Sequence, residues 1–290
     1  MVRQFASLVK LSHTIFGLPF ALAATAVAHR FAVAAGEPGL DVRRLVLILV
    51  AFTAARTAAM GFNRIVDRHI DAANPRTADR ELPRGAIGVK PAWAFTLGAA
   101  AVFVLAAVLL GPLPGLLAVP ALAIVFGYSL FKRFSWTSHL VLGTALALAP
   151  GGAWIAVTGS LDAWPPILLM AAVATWVAGF DVIYALQDER FDREHGLHSI
   201  PARFGTTGAL VLSGALHVGT VAALVAVHVS AGLGLAHAVG VLAIAGVLAY
   251  EHAIVRPSDL SRIGKAFFDL NGWVSLGYLA GTLVDVLLLG

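Results

Sequence analysis

The stretch VLAIAGVLAY, Val241 to Tyr250, decides the fold. A barrel strand alternates polar and apolar residues, and this run has no such alternation. Carried back to residue 232 it approaches the roughly 20 residues that a helix needs to cross a bilayer. Lipid offers the backbone no hydrogen-bond partners, so the run must satisfy its own amides as a helix. LVLSGAL, Leu210 to Leu216, reads the same way.

Working outward, apolar stretches of this kind centre on 15–33, 43–63, 90–110, 114–130, 138–158, 165–185, 206–229, 232–250 and 270–289. The only break between 90 and 130 is GPLPG, Gly111 to Gly115. The expectation is an all-α integral membrane protein with nine transmembrane helices in one domain spanning 1–290. Charged residues are 12% of the chain, about half the share in an average soluble domain. The first apolar run continues from Leu11 to Ala28 without a polar cleavage region, so it reads as a span. With no cysteine, disulfides, thiolate metal sites and cysteine nucleophiles are excluded.

The net charge of +4 and a pI near 9.8 do not read as a nucleic-acid surface, because the basic residues fall in short islands between spans. Arg3, Lys10, Arg64, Arg68, Arg76, Arg80, Arg84, Lys90, Lys132, Arg133, Arg190, Arg193, Arg203, Arg256, Arg262 and Lys265 all fall on one side. By the positive-inside tendency that side, with the N-terminus, is cytoplasmic, in a multi-pass protein of the cell's inner membrane.

The two longest polar islands, 64–89 and 186–205, lie on that side. The first opens with NRIVDRHID, Asn63 to Asp71. Arg56, Asn63, Asp67 and Asp71 follow at intervals of seven, four and four, which places them on one helical stripe. DVIYALQDERFDRE, Asp181 to Glu194, repeats the seven and four intervals at Asp181, Asp188 and Asp192. Carboxylates gathered at a membrane mouth repel unless cations lie between them. Hard oxygen ligands suit magnesium, which completes its shell with water and substrate phosphates. Asn63 adds an oxygen ligand without charge, while Arg56, Lys132 and the arginines of 64–84 suit phosphate oxygens. A diphosphate site in an apolar setting suggests a polyprenyl diphosphate, with an electron-rich ring as the group that attacks its allylic carbon.

At these residues the chain resembles the UbiA family of intramembrane aromatic prenyltransferases. The resemblance rests on NRIVDRHID and DVIYALQDERFD, supported by RTADRELPRG at Arg76 to Gly85 and YSLFKR at Tyr128 to Arg133. It implies a helical bundle around a central lipid-accessible cavity, two Mg²⁺ ions, and prenyl transfer with diphosphate leaving. Carried over, Asn63, Asp67, Asp188 and Asp192 lead the metal site, and Asp71 and Asp181 support the metals or the binding loops. Asp67, Asp71, Asp181, Asp188 and Asp192 are then the catalytic carboxylates. Arg56, Tyr128 and Lys132 take the diphosphate side, with Arg76 and Arg80 as further candidates. The opening helix reads KLSHTIFGLPFAL, with Ser12 and His13 where 4-hydroxybenzoate-specific members carry an arginine and its neighbour. That resembles the branch acting in menaquinone formation through the futalosine route, whose acceptor is a dihydroxynaphthoate. Ser12 and His13 are the acceptor-side candidates. Ubiquinone-type prenylation of 4-hydroxybenzoate is the alternative acceptor reading.

A transporter of a cation or lipid phosphate also buries charge, but it calls for paired repeats with broken helices, and neither stands out. The partners expected are therefore the two substrates and membrane lipid, with no nucleic acid and no obligate protein. Arg64, Arg68, Arg190 and Arg193 read first as topology or solvated charge. His217, His228 and His237 read as packing or interfacial residues, and the small-residue spacing at Gly143, Gly151 and Gly152 reads as helix packing.

Overall fold

The computed structural model describes Leu8 and residues 14–289, with the backbone alone at 14, 15 and 289. The elements are helical throughout: α1 (Thr14–Ala34), α2 (Val42–Ala73), α3 (Val89–Leu110), α4 (Pro112–Phe131), α5 (Ser138–Thr158), α6 (Trp164–Ala185), α7 (Glu189–Glu194), α8 (Ile200–Ser230), α9 (Leu235–Ile254) and α10 (Asn271–Val284). Among the described residues, eight helices are long and apolar enough to cross a membrane. The ninth expected span begins with α10, whose 14 α-helical residues are followed by a π-helical turn, Asp285–Leu289. Another π-helical turn, Ala266–Leu270, precedes it.

GPLPG does separate two helices. Gly111 takes φ 149°, a value that favours glycine, and Pro112 opens α4, where its missing N–H costs nothing. At the end of α5, Gly159 is left-handed and donates its N–H to the Ile155 carbonyl at 2.8 Å. After α9, Ser261 donates through its hydroxyl and its backbone N–H to Asp259, holding that exposed carboxylate below its usual range.

The chain divides into two compact units. The first contains α2, α3 and nearly all of α4. Its core gathers Leu8, Ile65, Leu82, Ile87 and Ala92, with Trp93 and Phe95 partly buried against them. Phe62 stacks on Phe126 with ring centroids 4.6 Å apart. The second unit joins α1 and the segment to α2 with everything from Phe131 onward. Val182, Ile183, Ile200, Ala209, Ile254 and Leu270 form part of its core. A buried polar chain runs through this unit. Trp176 Nε1 donates to Asn271 Oδ1 at 2.7 Å, and Asn271 Nδ2 donates to Glu251 Oε1 at 3.1 Å. It links α6, α9 and α10 where unpaired polar groups would be costly.

Candidate functional site

In the first unit the acidic motif stands wholly within α2. The helix runs on to Ala73, a full ten residues past the expected end of its span. Asp67 and Asp71 are buried, as is Arg64, whose Nε donates to the Leu8 carbonyl at 3.4 Å. Asn63 Nδ2 donates to Asp67 Oδ2 at 3.1 Å, as an i, i+4 pair can, and the amide oxygen stays outside that bond. Tyr128 on α4 lies within electrostatic reach of both Arg56 and Arg64. Arg56 and Tyr128, both expected on the diphosphate side, are thus brought together.

Asp71 is engaged by basic side chains. Arg80 Nη1 donates to its Oδ1 at 2.6 Å, and Arg64 Nη1 lies 3.9 Å from Oδ2. The Asp71 carbonyl also accepts from Thr77 Oγ1 at 3.0 Å, so both ends of this residue hold the 74–88 connection to the helix. Arg80 is consequently committed to Asp71, while Arg76 remains exposed. We expect Asp71→Ala to speed tryptic cleavage of the detergent-solubilised protein within this connection about tenfold, with helical content unchanged. Tenfold corresponds to about 1.4 kcal/mol of loop closure. Unchanged cleavage would remove the clamp role.

In the second unit the acidic motif is broken. α6 stops at Ala185, Leu186–Asp188 forms a 3₁₀ turn, and Asp192 stands on the six-residue α7. The expected straight stripe therefore bends between Asp181 and Asp188. Asp192 hydrogen-bonds Ser199 and lies within electrostatic reach of Asp188, Lys132 and His139. The backbone closes this cluster, for His198 N–H donates to the Lys132 carbonyl at 2.7 Å. Ser199 also caps α8 by accepting from Ala202 N–H at 3.2 Å.

The arginines of the motif serve the scaffold. Arg193 pairs with Glu189 at 2.9 Å, and its Nε donates to the Ala202 carbonyl at 3.0 Å. Arg190 is exposed and bonds Glu194 at 2.7 Å. Asp181 accepts from His139 Nδ1 at 2.7 Å, a partner not singled out from sequence. Ser12 and His13 lie outside the described residues.

Among the described residues, no group of three or more histidines, aspartates or glutamates is gathered as a metal cage. The donor set still fits magnesium in kind. It is all oxygen, it includes a neutral amide oxygen left outside the Asn63–Asp67 bond, and it has basic residues alongside for anion oxygens.

The chain is a helical membrane protein with two acidic motifs, each beside a basic group. Residues 18–273 match the UbiA prenyltransferase family, and the chain belongs to it. A 4-hydroxybenzoate octaprenyltransferase of Vibrio cholerae serotype O1 is 30% identical over 248 residues, covering 85% of this chain and 86% of its own. The apo structure of a UbiA homolog from Aeropyrum pernix K1 is 36% identical, with a TM-score of 0.84 over 95% of this chain and 98% of that one. A UbiA homolog from Archaeoglobus fulgidus, bound to DMAPP and Mg²⁺, shares the fold at 18% identity, with a TM-score of 0.74 over 98% and 99%. The protein is thus a multi-pass membrane prenyltransferase, and the transporter alternative gives way.

Proposed function

We propose that this protein transfers a polyprenyl group from polyprenyl diphosphate to an aromatic acid of quinone biosynthesis in a reaction that requires two Mg²⁺ ions. The observation that carries the reading is the Asp188–Asp192–Lys132 cluster, an acidic pair for metal beside a cation for phosphate. Asn63 and Asp67 would serve one ion, and Asp188 and Asp192 the other. Bound magnesium would stabilise negative charge growing on the departing diphosphate. Lys132, with Arg56 and Tyr128, would hold diphosphate oxygens. The apolar spans would carry the prenyl chain in a lipid-accessible cavity and keep water from the allylic carbon. In the reaction a ring carbon bonds to that carbon, the carbon–oxygen bond to diphosphate breaks, and loss of the ring proton restores aromaticity.

We place nine spans in the inner membrane, with the N-terminus and both acidic motifs on the cytoplasmic side. KLSHTIFGLPFAL supports a dihydroxynaphthoate as acceptor. A second reading, 4-hydroxybenzoate, is supported by the name of the Vibrio cholerae relative. The test is purified protein with polyprenyl diphosphate, Mg²⁺ and separate benzoate and naphthoate panels, followed by diphosphate release and product mass. We expect a prenylated dihydroxynaphthoate. Turnover of 4-hydroxybenzoate alone would reverse the acceptor order, and no acceptor-dependent product from either panel would sink the assignment.

A further inference from the structure

His139 and Asp181 come from different helices and are 42 residues apart in sequence, yet they form a short polar pair. His139 stands at the start of α5 with a side chain only 6% exposed, and its Nδ1–H donates to Asp181 Oδ2 at 2.7 Å. Its Nε2 is enclosed without a hydrogen-bond partner, so the ring is fixed by the carboxylate and by packing. Asp181 is 25% exposed, and its other oxygen, Oδ1, stays outside the bond. One oxygen of this carboxylate is therefore pinned while the residue keeps an open side.

The surroundings select what that open side can take. Among the described residues the ion-pair partner of Asp181 is His139, with no lysine or arginine beside it, unlike Asp71 with Arg80. A carboxylate repels an anion unless a cation lies between them, and the unpinned oxygen of Asp181 attracts a hydroxyl hydrogen. Three residues further along the same helix, Tyr184 stacks on Phe267 with centroids 4.1 Å apart, and Phe180 meets Phe267 edge-on at 5.4 Å. Phe180 and Tyr184 thus set aromatic rings within three residues of Asp181 on the same helix.

We propose that His139 is a positioning residue for the acceptor: it holds Asp181 so that Oδ1 accepts a hydrogen bond from the hydroxyl of the incoming aromatic acid. This rests on the prenyl-transfer reading above. The same repulsion turns the acid's own carboxylate away from Asp181, which fixes which end of the ring enters first. A hydrogen bond accepted from the hydroxyl also raises electron density at the neighbouring ring carbon, the position that must attack.

The test compares wild-type protein with His139→Leu, His139→Asn and Asp181→Asn, varying acceptor and polyprenyl diphosphate separately. Asn places an amide N–H where Nδ1–H stood, whereas Leu fills the space without a donor. His139→Leu should raise the acceptor KM about tenfold and leave the prenyl diphosphate KM within about twofold. His139→Asn should restore most of the loss. Asp181→Asn should show the same acceptor-selective rise, and combining it with His139→Leu should add little. Equal rises in both KM values, a fall in kcat alone, failure of Asn to rescue, or wild-type behaviour of His139→Leu would each overturn the inference while leaving prenyl transfer standing. Wild-type protein that prenylates no acceptor would overturn the reading beneath it as well.

Discussion

Asp188→Asn is expected to lower prenyl transfer by about 10² to 10³-fold, or about 2.7 to 4 kcal/mol of transition-state stabilisation. The substitution keeps the shape of the side chain and removes its charge. Asp188 closes the 3₁₀ turn that follows α6, and its charge acts on Asp192, whose surroundings also include Lys132. If these two carboxylates hold magnesium, one of them turned to an amide lowers metal affinity and the neutralisation of the leaving diphosphate together. Asp67→Asn should behave alike, because Asp67 is buried on α2 with Asn63 donating to it. The control is Arg190→Gln. Arg190 is exposed and bonds Glu194 one helical turn away, so its loss should change turnover by less than about twofold. Raised Mg²⁺ should recover part of the Asp188→Asn loss and none of any loss in Arg190→Gln. Turnover near wild type in Asp188→Asn, with membrane insertion intact, would falsify the metal role.

What could be read from sequence followed from the solvent. Runs such as Val241–Tyr250 leave the backbone no choice but helix, and α9 forms over Leu235–Ile254. GPLPG reads as a break, and the positive φ of Gly111 makes it one. Spacing served less well for the acidic motifs, because it assumes an unbroken helix. That assumption holds for α2, which carries Asn63, Asp67 and Asp71 in one piece. It fails after Ala185, where the backbone tightens and Asp192 moves to a separate helix. Partners distant in sequence left no local signal. His139 and Asp181 meet only because α5 and α6 pack in one register, and a carboxylate's spacing along its own helix says nothing about the helix beside it. Asp71 shows the converse. Its interval from Asp67 suggests a ligand, while its position at the end of α2 lets Arg80 fold back onto it.

Gly143→Ala should be the most damaging conservative substitution in the membrane-spanning part of the second unit. A Cβ at Gly143 would stand 2.1 Å from the Ala174 carbonyl oxygen, far inside van der Waals contact. That oxygen belongs to the backbone of α6, so no side-chain rotation relieves the clash. Helices α5 and α6 would have to separate, and overpacking of this kind costs about 1 to 3 kcal/mol. Close approach at small residues is a main source of helix association in lipid, where burial of apolar surface offers little. The strain would also reach the site, because α5 carries His139 and α6 carries Asp181. Two neighbours calibrate the effect. At Gly151 the nearest atom is Met170 Sδ, 2.4 Å away, in a flexible thioether that can move aside, so Gly151→Ala should cost less. At Gly152 nothing lies within 4 Å, and alanine there should be neutral or slightly stabilising through helix propensity. Thermal unfolding in detergent, followed by loss of helical signal, should rank the variants Gly143→Ala below Gly151→Ala below Gly152→Ala. A Gly143→Ala midpoint equal to that of Gly152→Ala would show that the two helices are not held at this contact. If the order is found, acceptor KM should rise in Gly143→Ala and stay unchanged in Gly152→Ala, since only the first substitution disturbs the register that brings His139 to Asp181.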